Sequence, residues 1–153
     1  MGNIFNDDFR DFINALNHYK VEYILVGGYS VILHGYSRTT GDLDIWVNKT
    51  IDNRHRIKNA FHLFGMPLFG MTENNFLENP LLNVFTFGRP PVSIDIMTEV
   101  KGLNFEETYR ESQIIEIESL SVRLIHYNHL IKAKKSSGRS KDLDDLENLS
   151  DGK

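Results

Sequence analysis

The sequence predicts an α+β domain in which helices flank a mixed β-sheet and a helical pair ends the chain. Three observations support this fold class. Helix-like and strand-like segments alternate up to residue 64, four more strand-like segments follow, and two charged helical segments come last. This order of helices and strands is typical of a mixed sheet covered by helices.

Length and composition suit one compact domain, which we place at residues 1–149 with a tail at 150–153. The 153 residues are 41% hydrophobic and 25% charged, so a packed core is expected. The net charge of −4 gives no general basic field for nucleic acid, and the absence of cysteine excludes disulfides and thiolate metal sites. The acidic start and the lack of a long apolar run predict a cytoplasmic protein with no membrane partner.

The first part of the chain contains helices and strands in alternation. Apolar residues recur at helical spacing over 6–19, whereas VEYILV is rich in β-branched and aromatic residues and stops at two glycines. The predicted elements are a helix over 6–19, a strand over 21–26, a short helix over 29–35 that ends at Gly35, a strand over 42–47 and a helix over 51–64.

The second part combines a long loop, strands and helices. Residues 65–80 are punctuated by glycine, proline and asparagine, which predicts a loop with a single helical turn. The strands LLNVFTF and VSIDIM are joined by a predicted turn at 88–91. A polar stretch with Phe105 and Tyr109 leads to the strands QIIEIES and SVRLI, and helices over 126–136 and 141–149 follow.

Two aspartates lie on one face of the strand DLDIWV. Because side chains alternate along a strand, Asp42 and Asp44 point the same way while Leu43 and Ile45 point into the core. Their α-carbons are expected about 6.6 Å apart, and like charges on one face repel. A hard divalent cation such as Mg²⁺ compensates this repulsion directly.

A third acid occupies a similar position in VSIDIM, where Asp95 lies between two isoleucines. If the two strands are neighbours, three carboxylates converge and can hold two metal ions about 3.5–4 Å apart. This arrangement activates an attacking oxygen and stabilises a leaving one. The alternative is an exposed edge strand whose charges prevent aggregation.

A glycine turn precedes the acid pair. Gly27 and Gly28 end a predicted strand just before a helix whose first turn holds Ser30. Glycine allows the backbone to approach a ligand closely, and helix N-terminal amides attract phosphate oxygens. A glycine pair alone is weak support, but followed by two acids on the next strand it becomes specific.

These residues resemble the signature of the nucleotidyltransferase superfamily built around a polymerase-β-like core: a glycine pair, a serine, two acids around an apolar residue and a later third acid. The form GYSRTTGDLD and the tail LIKAKKSSGRSKDLDDLENL are most similar to AbiEii-type toxin nucleotidyltransferases and related bacterial proteins. The resemblance covers about residues 20–149. It implies the nucleotidyltransferase fold, with the catalytic core at 20–100 and a C-terminal helical part at 120–149.

The resemblance also implies residue roles. Asp42 and Asp44 would bind two Mg²⁺ ions, with Mn²⁺ as a substitute, and Asp95 would complete one site and take a proton from the acceptor hydroxyl. Gly28 and Ser30 would hold the triphosphate, and Lys134 would neutralise phosphate charge. The full set of implied nucleotide-binding residues is Gly27, Gly28, Ser30, Arg38, Lys134 and Arg139.

Several assignments stay open from sequence. Arg38 either contacts phosphate or pairs with a carboxylate, and Arg139 and Lys141 either reach the nucleotide or, for Lys141, pair with acids of the last helix. The charged block from Lys132 to Glu147 is equally well explained as a solvated helix face.

Aromatic and histidine residues near these motifs also have two interpretations. Trp46 shares the face of the acids and either stacks on a base or is buried. Tyr29, Tyr36 and His34 either contact the nucleotide or pack. The spacing of His126 and His129 favours an ordinary helix surface over a metal site.

The resulting functional prediction is a Mg²⁺-dependent enzyme that transfers a nucleoside monophosphate from a nucleoside triphosphate to a hydroxyl. The acceptor is unassigned and includes an RNA end, a protein side chain and a small molecule, with a partner protein as a further expectation. The alternatives are a non-catalytic nucleotide-binding regulatory or antitoxin-like module, and a plain interaction domain.

Overall fold

The computed structural model describes residues 4–89 and 92–151, and within them the chain forms helices on a six-stranded sheet. The helices are α1 (Asp7–His18), α2 (Gly27–Leu33), α3 (Ile51–Phe64), α4 (Glu73–Leu77), α5 (Phe105–Glu111), α6 (Tyr127–Ser137) and α7 (Ser140–Asp151). The strands are β1 (Tyr23–Val26), β2 (Asp42–Val47), β3 (Val84–Arg89), β4 (Val92–Met97), β5 (Gln113–Ile117) and β6 (Leu120–Leu124). The α+β prediction is confirmed.

The sheet is mixed, with the strand order β3-β4-β2-β1-β6-β5. Strand β2 pairs parallel with β4 and antiparallel with β1, while β1 pairs parallel with β6. The hairpins β3–β4 and β5–β6 are antiparallel. Both strands that carry the predicted acids are therefore interior, which rules out the edge-strand explanation for their charges.

The core forms where α1 and α3 pack together over the sheet. The ring of Phe12 meets the rings of Phe61 and Phe64 edge to face, at centroid distances of 5.5 and 5.3 Å. Helix α1 begins after Asn6, whose side chain accepts a hydrogen bond from the Phe9 amide. Such a cap satisfies one amide of the first turn, so the apolar spacing and the cap together specify this helix.

Helix α3 has the bounds that the sequence predicts. Thr50 caps its first turn by accepting a hydrogen bond from the Asn53 amide, and Gly65 ends it with a left-handed φ of 89°. The helical turn predicted in the long loop is α4, which Thr72 caps in the same way. Both helices thus follow sequence signals that specify their ends.

Three segments differ from their predictions. The short helix expected over 29–35 is α2, which begins at Gly27 and ends at Leu33, so the two glycines lie in its first turn and Gly35 lies beyond its end. Gly88 and Arg89 were expected in a turn but belong to β3, where they pair with Ser93 and Val92, and residues 90–91 lie outside the described part. The polar stretch after β4 contains helix α5, which begins at the cap Asn104 and packs Phe105 against Trp46. Its short length and many charges hid its helical character.

The C-terminal helices α6 and α7 match the predicted pair within about a turn. Gly138 ends α6 in the left-handed region, with φ 65°, and α7 starts two residues later. Among the helices of 4–89 and 92–151, none has both the length and the apolar character needed to cross a membrane.

Candidate active site

Strands β2 and β4 bring the predicted acids together. Asp44 lies directly opposite Asp95 in the parallel register, and Asp42 lies opposite Ser93. The intervening Leu43 and Ile45 are fully buried on the other face of the sheet. The alternation inferred from sequence is therefore correct, and the three carboxylates share one face in the interior of the sheet.

Two hydroxyl groups hold the outer carboxylates. Ser93 donates a hydrogen bond of 2.7 Å to Oδ1 of Asp42, and Thr86 donates one of 2.7 Å to Oδ1 of Asp95. Thr86 is the β3 residue opposite Asp95, so the antiparallel hairpin supplies this contact. Both hydroxyls fix carboxylate orientation without adding positive charge.

Asp44 carries the largest resolved electrostatic effect in this cluster. Its pKa is raised from 3.8 to about 7 by burial, then by the charge and hydrogen bond of Asp95 and the charge of Asp42. The charge of Lys141 opposes this rise. Two carboxyl groups this close favour sharing a proton unless a cation is present. The protein thus maintains a local excess of negative charge at the centre of its sheet.

The donor set suits a hard cation, since carboxylate oxygens are the ligands that Mg²⁺ and Mn²⁺ prefer. Asp44 and Asp95 are in contact, but within residues 4–89 and 92–151 no three acidic or imidazole side chains are gathered as a ready metal-binding group. Asp42 is drawn toward Ser93. The fit is therefore best for the Asp44–Asp95 pair.

Gly27 lies against the acid pair for a steric reason. It has a left-handed φ of 70°, and a Cβ placed there would overlap the carboxylate of Asp44. Gly28 is similarly restricted, because its Cβ would come within 2.5 Å of Oγ1 of Thr40 and 3.1 Å of a guanidinium nitrogen of Arg38. Glycine at both positions lets the start of α2 approach the strand that carries the acids.

Ser30 is engaged within its own turn. Its side chain is fully buried, and its hydroxyl donates a hydrogen bond of 2.6 Å to the Gly27 carbonyl. Val26 at the N-cap makes no side-chain capping bond. The hydroxyl of Ser30 thus supports the glycine turn, and a contact with phosphate would require exchange of this bond.

Lys134 lies in a buried ion cluster between α6 and α7. Its ammonium group is 3.1 Å from Asp142 and 3.2 Å from Asp145, and all three side chains are almost fully buried. Burial favours the neutral acid, but hydrogen bonds from Arg139, Ser137 and Lys134 hold the pKa of Asp142 well below its usual range. The cluster therefore keeps its charges, and each of its carboxylates has a cationic partner.

Two arginines complete this cluster. Arg38 pairs with Asp145 through Nε at 3.0 Å and a terminal nitrogen at 3.3 Å, so the carboxylate alternative holds for this residue. Arg139 pairs with Asp142 at 2.7 Å while its side chain stays 61% exposed. The hydrogen bond that Arg139 donates to Asp142 raises the pKa of Arg139, and the charge of Asp44 adds to this effect. Arg139 is thus near both groups of acids.

The solvated-face explanation of the charged block is wrong for these residues. Asp142 and Asp145 are 0% and 1% exposed, and they pair with Lys134, Arg38 and Arg139. The suggested pairing of Lys141 with these acids is also wrong, because Lys141 makes no ion pair within the described residues. Helical periodicity could not reveal the burial of Asp142 and Asp145, because their cationic partners lie in other segments: Arg38 in a distant loop and Lys134 on helix α6.

A cavity of about 150 Å³ lies between the acid pair and the C-terminal helices. Its polar wall includes Asp44, Arg139, Lys134 and Lys101, beside Gly27. Sequence reasoning missed Lys101, which follows β4 in a segment without a catalytic motif. The cavity is lined by two acids, Asp44 and Asp142, and by three cationic side chains, and this mixture next to a glycine turn is suited to a phosphorylated ligand that a metal ion accompanies.

The aromatic residues near the site mostly pack. Trp46 is 1% exposed and meets Phe105 edge to face, which favours the buried interpretation. Tyr29 lies 4.9 Å from the ring of Phe5 and is buried. Tyr36 donates a hydrogen bond to Asp144 on α7. These contacts account for all three rings without a nucleobase.

The histidines also have structural contacts. His34 hydrogen-bonds the Ile125 carbonyl through Nε2 at 2.7 Å. His126 caps α6 by accepting from the Asn128 amide, and its ring lies 6.5 Å from that of His129. No group of three potential ligands forms around them within the described residues.

Comparison with protein families adds a decisive observation. The family described as "Nucleotidyltransferase of unknown function (DUF6036)" matches residues 7–150. The chain belongs to this family. The match covers both the acid-bearing strands and the C-terminal helices, so a nucleotidyltransferase relationship is established at the family level. No curated protein matches the chain.

Solved structures give the same fold. A candidate nucleotidyltransferase from Thermotoga maritima (TM1012) has a TM-score of 0.61 and 14% identity, covering 95% of this chain and 91% of its own. JHP933 from Helicobacter pylori has a TM-score of 0.53 and 17% identity, covering 94% and 63%. An antigenic nucleotidyltransferase-like protein from Paracoccidioides brasiliensis has a TM-score of 0.53 and 16% identity, and the match covers 97% of this chain and 78% of that protein. At these identities the similarity shows the fold alone.

Proposed function

We propose that this protein is a metal-dependent nucleotidyltransferase that transfers a nucleoside monophosphate from a nucleoside triphosphate to a hydroxyl acceptor. The observation that carries the proposal is the pairing in register of Asp44 and Asp95 on adjacent interior strands, with Gly27 packed against the Asp44 carboxylate. Like charges on adjacent interior strands destabilise a fold unless an opposite charge, such as a bound cation, offsets their repulsion. A site of this kind on a nucleotidyltransferase fold favours nucleotidyl transfer over a plain interaction domain.

The residues would divide the chemistry between them. The acceptor oxygen attacks the α-phosphorus, a new P–O bond forms, and the bond to pyrophosphate breaks with its electrons on the leaving oxygen. We assign to Asp95 the removal of the proton from the acceptor hydroxyl. The Oδ1 atom of Asp95 accepts a hydrogen bond from Thr86, which orients the carboxylate. Asp42, Asp44 and Asp95 would hold Mg²⁺ or Mn²⁺, which would polarise the acceptor oxygen and stabilise charge on the phosphates.

Nucleotide binding is assigned to the glycine turn and the cations around the cleft. Gly27 and Gly28 would admit the phosphates, with Ser30 exchanging its bond to Gly27. Arg139 is the best placed of the predicted cations, because its side chain is exposed and close to Asp44. Lys134 and Arg38 would contribute only if phosphate competed with Asp142 and Asp145.

The resemblance to AbiEii-type proteins and a toxin–antitoxin context are further parts of the proposal. They rest on the segments GYSRTTGDLD and LIKAKKSSGRSKDLDDLENL. The acceptor would be an RNA end, a protein hydroxyl or a small molecule, presented in the cytoplasm with or without a partner protein. A non-catalytic nucleotide-binding module remains the second candidate, and the paired state of Lys134 favours it.

The test is incubation with each of four α-labelled nucleoside triphosphates, Mg²⁺ and cell extract. We expect a labelled product from the wild type and a loss of about 1,000-fold or more in Asp44→Asn and Asp95→Asn. Asp52→Asn, which removes an exposed acid at the start of α3, is the matched control and should retain activity.

Two outcomes would contradict the proposal. Equal labelling by the wild type and both site variants would show that the acid pair is not the catalytic site. Calorimetric binding of a triphosphate without labelled product from any extract would instead support the non-catalytic module.

A further inference from the structure

A tight turn after β4 presents Lys101 to the cleft. The Leu103 amide donates a hydrogen bond of 3.1 Å to the Val100 carbonyl, so residues 100–103 form a β-turn with Lys101 and Gly102 at its centre. Gly102 has φ 88°, as a type II turn requires at its third position. The turn conformation therefore fixes the backbone of Lys101.

The same turn is locked against helix α6. A Cβ on Gly102 would overlap the side chain of Ser136, which lies two residues after Lys134. This close approach holds the turn beside the helix that closes the cleft. Lys101 is thus positioned by backbone geometry, and the position does not depend on an ion pair.

Lys101 lines two neighbouring cavities on the acid face of the sheet. One is the cavity of about 150 Å³ that contains Asp44 and Arg139. The other, of about 420 Å³, contains Trp46, Thr98 and Phe105. Its ammonium group can therefore reach a ligand that lies over Asp44.

Lys101 differs in its ion pairing from Lys134 and Arg139, the other cations that line the cavity of about 150 Å³. Its side chain is exposed, and within residues 4–89 and 92–151 it makes no hydrogen bond or ion pair. Lys134 and Arg139 are already paired with buried carboxylates. A phosphate group entering the cleft would find Lys101 without a competing partner.

We propose that Lys101 is a nucleotide-contacting residue that binds the triphosphate from the wall of the cleft formed by the turn at 100–103. The ligand class is a polyphosphate ester, because an unpaired ammonium in the same cavity as Asp44 suits an anion that a metal ion bridges to that carboxylate. This inference rests on the proposed function and deepens it, assigning to Lys101 the role that sequence similarity implies for Lys134.

The test is calorimetric titration of the full chain with ATP, GTP, CTP and UTP in Mg²⁺ buffer. We expect Lys101→Met to weaken triphosphate binding about tenfold or more, with unchanged Tm. Lys101→Arg should restore most of the affinity. Lys132→Met, an exposed lysine of α6 outside both cavities, should bind as the wild type does.

Two further measurements separate a phosphate contact from other effects. The affinity of Lys101→Met should fall less steeply with added KCl than that of the wild type, since one ionic contact is missing. Gly102→Ala should also weaken binding, because the turn can no longer lie against Ser136.

The possible results distinguish two failures. If the wild type binds a triphosphate and Lys101→Met binds it equally well, the role of Lys101 is overturned while the proposed function stands. If the wild type binds none of the four, the proposed function is overturned, and the inference with it.

Discussion

Two regions of the molecule concentrate charge and treat it in opposite ways. On the sheet, Asp44 and Asp95 face each other in register, and their hydroxyl neighbours bring no positive charge. Between the C-terminal helices, Asp142 and Asp145 are more deeply buried, yet Lys134 contacts both. Every carboxylate of the helical cluster has a cationic partner, whereas Asp44 and Asp95 form no ion pair within the described residues.

This difference separates structural from functional charge. A buried carboxylate that is paired keeps a low pKa and supports folding, as Asp142 does. A carboxylate beside another carboxylate gains a raised pKa and opposes folding when ionised, as Asp44 does. The sheet cluster therefore costs stability that a bound cation would return.

The largest change in the free energy of unfolding is expected from Lys134→Met, which disrupts the helical cluster. Removing the ammonium leaves two buried carboxylates with only their arginine partners, which should lower the free energy of unfolding by about 3–5 kcal/mol. Chemical denaturation at pH 7 measures this loss, and Lys132→Met should change it by less than about 0.5 kcal/mol. An equally small loss for both variants would show that the helical cluster is not structural.

A smaller destabilisation is expected from Gly27→Ala. The substitution places a Cβ at φ 70° and against the Asp44 carboxylate, and we expect a loss of about 2–3 kcal/mol. Gly70→Ala is the control, because its Cβ would meet open space and its φ is ordinary. If Gly27→Ala matched Gly70→Ala in Tm, the tight approach of the glycine turn to the acids would be disproved.

The smallest effect has the opposite sign. In metal-free buffer at pH 8, Asp44→Asn should raise the free energy of unfolding by about 1–2 kcal/mol, because it removes a like charge from the acid pair. Asp142→Asn should lower it. A loss of stability in both variants would mean that the Asp44 carboxylate stabilises the fold, as the Asp142 carboxylate does.

The gain in Asp44→Asn should depend on pH. The pKa of Asp44 is about 7 in the folded chain and near 3.8 when unfolded, so both forms are protonated below about pH 3.8. Between pH 3.8 and pH 7 Asp44 is ionised in the unfolded chain but still protonated in the folded chain. The free energy of unfolding of the wild type therefore falls across this range, and the loss is complete once the pH has risen through 7. Denaturation curves at pH 5 and pH 8 should show the gain increasing with pH.

Local patterns in the sequence predicted most of the fold. Helix α3 is fixed by the cap Thr50, by apolar spacing and by Gly65, so its bounds were read directly. Helix α5 was missed because seven residues with four charges carry no clear period, and its formation depends on Phe105 packing against Trp46. Tertiary contact overrides weak propensity in such short elements.

The site was also predictable in part, because the alternation of side chains along a strand is a local pattern. Strand alternation placed Asp42, Asp44 and Asp95 on one face, and only the pairing of β2 with β4 was needed to bring them together. Whether a lysine or arginine side chain is free or paired with a carboxylate depends instead on residues far apart in the chain. The pairing of Arg38 with Asp145 across 107 positions left no local signal.

The most direct test of the account is calorimetric titration of the metal-free protein with Mn²⁺. The central claim is that the uncompensated acids of the sheet are a cation site. We predict saturable binding by the wild type and by Asp52→Asn, weakened more than about tenfold in Asp44→Asn and Asp95→Asn. Equal Mn²⁺ affinity in all four proteins would contradict it.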